Sequence, residues 1–307
     1  MRINNNITAL NSHRQYGINT NNIAKNVEKL SSGFRVNRAG DDAAGLAISE
    51  KMRSQIRGLN MASKNSQDAI SLVQTAEGGL QTVQNILQRM RELAVQAGSD
   101  TNTTADRIQL QREVNALIEE IDQIVETTQF NTMTLLGGKY SSTPLVIQAG
   151  ANKGEEMDIT IKSMSAEELG LLASGAGKAY ELTKTSNLYV HKDEFDDIVK
   201  DNGAGELGLT SRKSASDALD EISKALDKVS DQRAELGAYQ NRLEFKIHNL
   251  DNQAENLAAA ESRIRDADMA KMMTELTKNN ILFQASTAML AQANALPQGV
   301  LQLLGNQ

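Results

Sequence analysis

Residues 279–307, NNILFQASTAMLAQANALPQGVLQLLGNQ, form an uncharged segment on which the predicted fold depends. It lacks charged side chains in a protein that is 23% charged and has a net charge of -7. Apolar residues recur in and just before it, on two adjacent seven-residue rows: Leu276, Phe283, Leu290 and Leu304, and Leu282, Met289, Leu296 and Leu303. Such rows form an apolar stripe along a helix. The pattern predicts a helix that buries itself against a neighbouring helix or against further copies of the chain.

Two other interpretations of this stretch are an ordinary terminal core helix and a membrane-spanning helix. A core helix would show the same stripe. A membrane-spanning helix needs about 20 predominantly apolar residues. Polar residues and a proline interrupt the run well before that length: Gln284, Gln292, Asn294, Pro297 and Gln298. The sequence therefore predicts no membrane partner for this helix.

The composition favours long helices over a conventional globular core. Among 307 residues only 3% are aromatic, Trp is absent and Pro occurs twice. Cys is also absent, which excludes disulfides, thiolate metal sites and a cysteine nucleophile.

Residues 1–20 contain no apolar segment of the kind found in cleaved secretory signals. The basic residues of 1–40 are scattered and have no aromatic platforms between them, so no nucleic-acid partner is predicted.

The first 33 residues predict a helix that is weak in isolation. Apolar residues recur at roughly helical spacing: Ile3, Ile7, Leu10, Ile18, Ile23, Val27 and Leu30. Nine Asn among the first forty residues oppose it, because their side chains compete for backbone hydrogen bonds. We therefore expect this helix to order by packing on residues 279–307.

Residues 31–42 predict a break between helices. Asp41 or Asp42 is placed to cap the next helix rather than to bind a metal ion.

Two long heptad patterns predict a rod. From Met52 to Ala97 one row is Met52, Leu59, Ser66, Val73, Leu80, Leu87 and Ala94, and a second is Ala62, Ala69, Ala76, Val83, Met90 and Ala97. A shorter helix with Leu110, Val114, Leu117, Ile121 and Ile124 should fold back as an antiparallel hairpin. The other long pattern has eight apolar residues, each seven positions after the last: Ala215, Ile222, Val229, Leu236, Leu243, Leu250, Leu257 and Ile264. Both long helices would reach about 75–80 Å, so they can run side by side.

The middle of the chain changes character. Residues 130–164 predict two or more short strands with a glycine-containing turn near 150–154. Residues 173–210 are acidic and without period, which indicates a small exposed insertion. His191 and Glu194 lack the two-histidine spacing of a zinc protease. The sequence thus predicts a mainly α fold, with long antiparallel coiled-coil helices from both ends of the chain, a small β-hairpin region and a short central insertion.

The layout is symmetric about the middle: terminal helix, break, rod helix, insertion, rod helix, break, terminal helix. Seven segments add to it: MRIN at 1–4, LSSG at 30–33, NRAGDDAAGLAI at 37–48, LQRMRELAVQ at 87–96, QFN at 129–131, QAGAN at 148–152 and SRIRDAD at 262–268. With these segments the chain resembles bacterial flagellin over residues 1–170 and 210–307. The insertion departs from long members of the family by being much shorter.

The resemblance implies a structural subunit of the flagellar filament, used for swimming, with no enzymatic activity, cofactor or metal. Residues 1–40 and 267–307 would form the inner filament core. Residues 41–170 and 211–266 would form the surrounding rod with its strands, and 171–210 the exposed insertion. The residues expected to carry polymerisation are Ile3, Ile7, Leu10, Leu276, Phe283, Leu290, Leu296 and Leu303.

The same resemblance implies a set of partners and a location. The chain would assemble with copies of itself and meet the flagellar cap and hook-associated proteins. It would be secreted unfolded by flagellar type III export, with an export chaperone, and so would need no cleaved signal. Toll-like receptor 5 recognises the family through a helix patch, and the matching positions here are Arg89, Leu93 and Glu113.

Three other functions fit the sequence less well than a filament subunit. An enzyme is disfavoured because His13, His191 and His248 are far apart in sequence and no phosphate-binding loop is present. A cytoplasmic signalling rod would share the long heptads but not the uncharged terminal stretch. A hook–filament junction protein is the nearest alternative, because it would share the terminal helices.

Overall fold

The computed structural model describes residues 6–171, 209 and 212–305, which fall into two compact units. The terminal unit comprises Met1–Arg57 and Gln253–Gln307, and the rod unit comprises Gly58–Asn252. The described elements are α1 Ile7–Ser32, α2 Ala43–Ala97, α3 Thr104–Thr127, β1 Gln129–Phe130, β2 Met133–Thr134, α4 Lys139–Ser142, β3 Leu145–Gln148, β4 Glu156–Ile159, α5 Ala166–Leu169, α6 Arg212–Arg265 and α7 Met269–Gly305. The predicted fold, mainly α with long helices from both ends and a small β region, is confirmed.

Helix α1 has well-defined ends despite its many Asn residues. At its start the side chain of Asn6 accepts a hydrogen bond from the backbone N–H of Ala9, at 3.1 Å. At its end Gly33 has φ +74, and its N–H donates to the Lys29 carbonyl at 2.9 Å. Glycine adopts this left-handed conformation without a Cβ clash, so it closes the helix at low cost.

The aspartate pair after the first break forms a turn and a cap. Asp42 caps α2, because its Oδ1 accepts from the Gly45 N–H at 2.8 Å. Asp41 accepts from the backbone N–H groups of Asn37 and Arg38 at 3.2 and 3.1 Å. These bonds lower the pKa of Asp41 below its ordinary value, the Arg38 N–H contributing most. The predicted cap is confirmed, and Asp42 is the residue that provides it.

The rod unit is built on the two predicted heptad patterns. The long row of α6 is fully buried from Ala215 to Leu250, and the rows of α2 are buried from Leu59 to Ala97. Helix α3 begins with a capping box between Thr103 and Asp106. It folds back along α2, and this confirms the predicted helical hairpin.

Two antiparallel hairpins lie in the rod unit. Strands β3 and β4 pair in the register Leu145 with Ile159 and Ile147 with Met157, which confirms the predicted strands. Strands β1 and β2 are joined by Asn131 and Thr132, both with positive φ (48 and 64). A two-residue turn of this kind matches the twist of the strands that it joins.

The sequence predicted an exposed insertion at 171–210, and residues 172–208 lie outside the described part of the chain, including the His191 segment. Both ends of that interval are anchored. Leu171 and Leu209 are fully buried. The N–H of Leu209 donates to Oε1 of the buried Gln111 at 2.5 Å.

Two adjacent glycines in α2 provide a matched test of packing in the rod unit. A Cβ on Gly79 would lie 2.8 Å from Thr128 Oγ1 and 3.1 Å from Leu136 Cδ1, whereas a Cβ on Gly78 would meet nothing within 4 Å. We expect Gly78→Ala to stabilise the rod unit by up to about 1 kcal/mol through helix propensity. We expect Gly79→Ala to destabilise it by about 1–3 kcal/mol through overpacking. Urea unfolding followed by circular dichroism measures both, and equal effects of the two substitutions would contradict the packing described.

Candidate functional site

Helices α1 and α7 pack on each other in the terminal unit, as the sequence predicted. They run antiparallel, because Asn6 near the start of α1 donates from Nδ2 to the Ala293 carbonyl at 2.7 Å. Further along, the rings of Tyr16 and Phe283 lie 5.0 Å apart between centroids, tilted by 36°. The first helix therefore packs on the uncharged stretch, residues 279–307.

The seam between the two helices is more polar than expected. A row of less exposed positions runs along α1 at a three–four spacing: Ala9, Ser12, Tyr16, Asn19, Ile23, Asn26 and Leu30. Those of α7 are Met272, Leu276, Asn279, Phe283, Ser286, Leu290 and Ala293. Of the apolar residues that predicted α1 and that the structure describes, only Ile23 and Leu30 belong to this seam. Small and amide side chains hold the other seam positions of α1, apart from Tyr16.

The predicted polymerisation residues separate into two groups. Leu276, Phe283 and Leu290 are half-buried on the seam side of α7, so part of each side chain already packs within the chain. Ile7 and Leu10 are exposed on α1. Ile3 and the side chains of Leu296 and Leu303 lie outside the described part of the structure.

An outer apolar surface runs along both helices, partly on the sides away from the seam and partly beside it. Among the described residues, nine of the fourteen exposed large apolar side chains belong to α1 or α7. They are Ile7, Leu10, Ile18 and Val27 on α1, and Met269, Met273, Ile281, Leu282 and Met289 on α7. Ile281 is 60% exposed and Met289 is 63% exposed. Exposed apolar surface concentrated on two helices indicates an interaction site.

The outer surface has two faces that point away from each other. At 100° per residue, Ile7, Leu10 and Ile18 lie on the side of α1 opposite its seam positions. By the same helical geometry, Ile281 lies on the side of α7 opposite its own seam positions, and Met273 lies about 110° from them. The helix pair therefore presents one apolar face from each helix, in opposite directions.

A compact joint connects the break before α2 with the break after α6. The Arg35 N–H donates to the Arg265 carbonyl at 2.7 Å, and the Ala267 N–H donates to the Gly33 carbonyl at 2.9 Å. The guanidinium of Arg265 lies over the Phe34 ring, 4.7 Å from its centroid. The sequence predicted the two breaks but not that they bond to each other.

Arg265 also ties this joint to the first turns of α2. Its NH1 group lies 2.7 Å from Glu50 Oε1. This hydrogen bond lowers the pKa of Glu50 below its ordinary value of 4.5. The joint therefore fixes where α1 and α7 leave the long helices.

The predicted receptor residues Arg89 and Glu113 lie together on the surface of the rod unit. Arg89 donates from Nε and NH2 to Glu113 Oε1, at 3.0 and 2.9 Å, and from NH1 to Glu92 Oε2 at 3.1 Å. The bond to Glu113, followed by that to Glu92, raises the pKa of Arg89 above its ordinary value. Leu93 is only 1% exposed and belongs to the core. A binding protein would therefore meet the charged pair, while Leu93 supports the helix beneath it.

The described residues contain no cluster of three or more His, Cys, Asp or Glu side chains able to hold a metal ion. Within the same ranges, none of the helices is long and apolar enough to cross a membrane.

The fold and the outer apolar surface define a class: α-helical rod proteins whose two chain ends pair and leave apolar faces uncovered. Two family models match the sequence. The bacterial flagellin N-terminal helical region matches residues 3–141, and the bacterial flagellin C-terminal helical region matches residues 219–304. The chain belongs to the bacterial flagellin family.

Individual relatives agree with this membership. A flagellin of Halalkalibacterium halodurans is 54% identical over 306 residues, covering 99% of this chain and 100% of the relative. A flagellar filament 31.3 kDa core protein of Treponema maltophilum is 44% identical over 312 residues, with the same coverage. The fold is shared with a solved structure described as a flagellar hook-associated protein of Vibrio parahaemolyticus, with TM-score 0.55 and 16% identity over 74% of this chain and 100% of that one.

Proposed function

We propose that this chain is the structural subunit of a bacterial flagellar filament and that it polymerises through the outer apolar surface of α1 and α7. The observation that carries the proposal is the concentration of exposed apolar side chains on the paired terminal helices. Burying apolar surface is worth about 25 cal/mol per Å². Covering these side chains in each subunit of a polymer can offset the roughly 1–2 kcal/mol per residue that ordering the backbone costs.

The arrangement of the two faces favours an open polymer over a closed dimer. A two-fold dimer pairs one patch with its own copy. Because the faces on α1 and α7 differ and point in opposite directions, such a dimer would leave one of them uncovered. Packing the α1 face of one subunit on the α7 face of the next covers both, and repeating that contact builds a filament.

The absence of charge after Lys278 supports close packing of many copies of α7. In a repeating array each ionised side chain would face the same charge on its neighbours. Asn, Gln, Ser and Thr can pack and hydrogen-bond without that repulsion. We assign the inner filament core to residues 1–40 and 267–307, the surrounding rod to 41–170 and 211–266, and the insertion to 171–210, within which Leu171 and Leu209 are buried.

Family membership supports the wider biological role. The filament would lie outside the cell and serve swimming motility, after export of the chain by the flagellar type III apparatus. Cap and hook-associated proteins and an export chaperone would be its partners. The comparisons favour this role over the junction protein, because full-length flagellin relatives reach 54% identity. The role is structural rather than enzymatic.

Removing the terminal helices tests the assembly role. We expect a truncated chain, residues 41–266, to keep the helical rod but to form no filaments, because both outer faces are lost. The full chain should form uniform filaments under the same seeding or precipitating salt. Electron microscopy with negative stain measures assembly, and circular dichroism measures helix content. Filaments from the truncated chain would place the assembly contacts elsewhere, and monomers from both chains would favour the junction protein.

Recognition by Toll-like receptor 5 is a second role, and the surface pair of Arg89 and Glu113 supports it. We expect the double substitution Arg89→Ala and Glu113→Ala to weaken binding of the monomer to the receptor by about tenfold or more. Removing one important charged residue from an interface typically has an effect of this size. A matched control is Lys162→Ala with Glu235→Ala, which removes another exposed ion pair of the rod unit, 3.1 Å long. Surface plasmon resonance measures both variants. Undiminished affinity of the first would remove this pair from the receptor site.

A further inference from the structure

Methionine is unevenly distributed over the surface of this chain. Among the residues that the structure describes, four methionines are exposed, and three of them belong to α7: Met269 at 47%, Met273 at 52% and Met289 at 63%. The fourth, Met61, lies in the rod unit. The exposed thioethers are therefore concentrated on the terminal helix that carries most of the outer apolar surface.

Met273 belongs to the part of α7 on which the proposed assembly depends. It lines an open groove of about 510 Å³ together with Ile281, Thr274 and Thr277. The preceding residue, Met272, is only 8% exposed and holds a seam position. Two consecutive methionines thus have different surroundings, since one is buried in the seam and the other is exposed beside Ile281.

Thioethers are the most readily oxidised side chains in this protein. The chain has no Cys and no Trp, so neither a thiol nor an indole competes for an oxidant. With hydrogen peroxide, the sulfur lone pair forms a new S–O bond and the O–O bond breaks. The sulfur loses two electrons and becomes a sulfoxide, while the peroxide is reduced to water. The product is a polar side chain that methionine sulfoxide reductases convert back to methionine.

We propose that Met269, Met273 and Met289 form an oxidation site that controls assembly, because peroxide oxidation of the free subunit blocks its entry into the filament. The inference rests on the proposed function, since it requires the next subunit to cover the outer apolar surface. In the monomer a sulfoxide at these positions is solvated. In the filament its oxygen would be buried at an apolar contact without a hydrogen-bond donor. Assembly in turn covers the sulfur atoms and protects them from the oxidant.

Leucine substitutions test this site, because leucine nearly keeps the volume and apolar character of methionine but is not oxidised by peroxide. The test variant carries Met269→Leu, Met273→Leu and Met289→Leu, and the matched control carries Met272→Leu alone. The native chain and both variants are treated as monomers with hydrogen peroxide, which catalase then removes. Peptide mass spectrometry locates the sulfoxides, and sedimentation after seeding measures the critical concentration.

We expect oxidation to raise the critical concentration of the native chain and of the control by about tenfold or more, because each buried sulfoxide opposes assembly. The triple variant should change by less than about twofold, since its outer surface stays apolar. An equal rise in the triple variant and the native chain would overturn the proposal, as would unchanged assembly of the oxidised native chain. Circular dichroism verifies that the oxidised monomers keep their helices.

If the triple variant forms no filaments before oxidation, enzymatic reduction of the oxidised native chain decides. Recovery of assembly in step with the repair of residues 269, 273 and 289 supports the proposal. A loss that persists after their repair, or a recovery that precedes it, overturns the proposal.

The two levels of inference fail in different ways. If the unoxidised native chain forms no filaments, the proposed function fails and this inference fails with it. If the native chain forms filaments equally well before and after oxidation, only the oxidation site is removed and the filament role stands.

Discussion

Ile281→Asp should abolish filament growth while leaving the fold of the monomer unchanged. Ile281 is 60% exposed and lies on the side of α7 away from α1, so an aspartate there is solvated in the monomer. In the filament the same carboxylate would be buried against the next subunit, at a cost of several kcal/mol. That cost raises the critical concentration by at least about 100-fold, since each 1.4 kcal/mol is a factor of ten.

The matched control is Ile281→Asn, which has nearly the same shape as aspartate but no charge. We expect it to raise the critical concentration by a smaller factor, through lost apolar burial alone. Sedimentation measures the unassembled fraction, and circular dichroism verifies the monomer. Normal growth of the aspartate variant would show that the outer face of α7 is not an assembly contact.

Leu87→Ala should destabilise the rod unit by about 2–5 kcal/mol. Leu87 has no exposed surface and belongs to the main core cluster with residues of α3 and α6. The substitution removes most of the leucine side chain and leaves a cavity. The surrounding helices are held by the rest of the core and cannot move far enough to fill it. Urea unfolding followed by helix content measures the loss.

The adjacent Gln88 provides the control for this prediction, because it is exposed on the same turn of α2. Gln88→Ala should change the unfolding free energy by no more than about 0.5 kcal/mol. Equal effects at the two positions would mean that the heptad row of α2 does not form the core described.

Much of this fold was predictable because one physical pattern repeats along it. Eight apolar residues at consecutive heptad positions leave a long helix such as α6 few alternatives, and the structure buries the residues of this row from Ala215 to Leu250. The strands β3 and β4 were predictable from short apolar runs around a glycine turn. The break at Gly33 and the cap at Asp42 followed from turn and capping preferences.

The seam between α1 and α7 was harder to predict from sequence. An apolar search selects Ile7, Leu10 and Ile18, which the structure places on the outer side. The three–four spacing of Ser12, Tyr16 and Asn19 was present in the sequence, but amide and hydroxyl residues do not count as core in such a search. Such residues can be buried in the seam only where they find hydrogen-bond partners. The partner of Asn19, Ser286, lies 267 residues away in the sequence.

The receptor motif shows a related limit. Resemblance supplied Arg89, Leu93 and Glu113 as a set, whereas the structure places the leucine in the core and the other two in an ion pair. Helical spacing alone does not decide which side of α2 is covered by α3 and α6. That decision depends on packing between helices.

The pairing of α1 with α7 also has a consequence for the order of folding. Asn19 and Leu282 are 263 residues apart in sequence, whereas Arg89 and Glu113 are only 24 apart. Contacts between distant residues form more slowly than local ones, because a long loop must close first. We expect the hairpin of α2 and α3 to form while α1 and α7 are still unpaired. During that interval a partner can bind either terminal helix, and once the seam closes this opportunity ends.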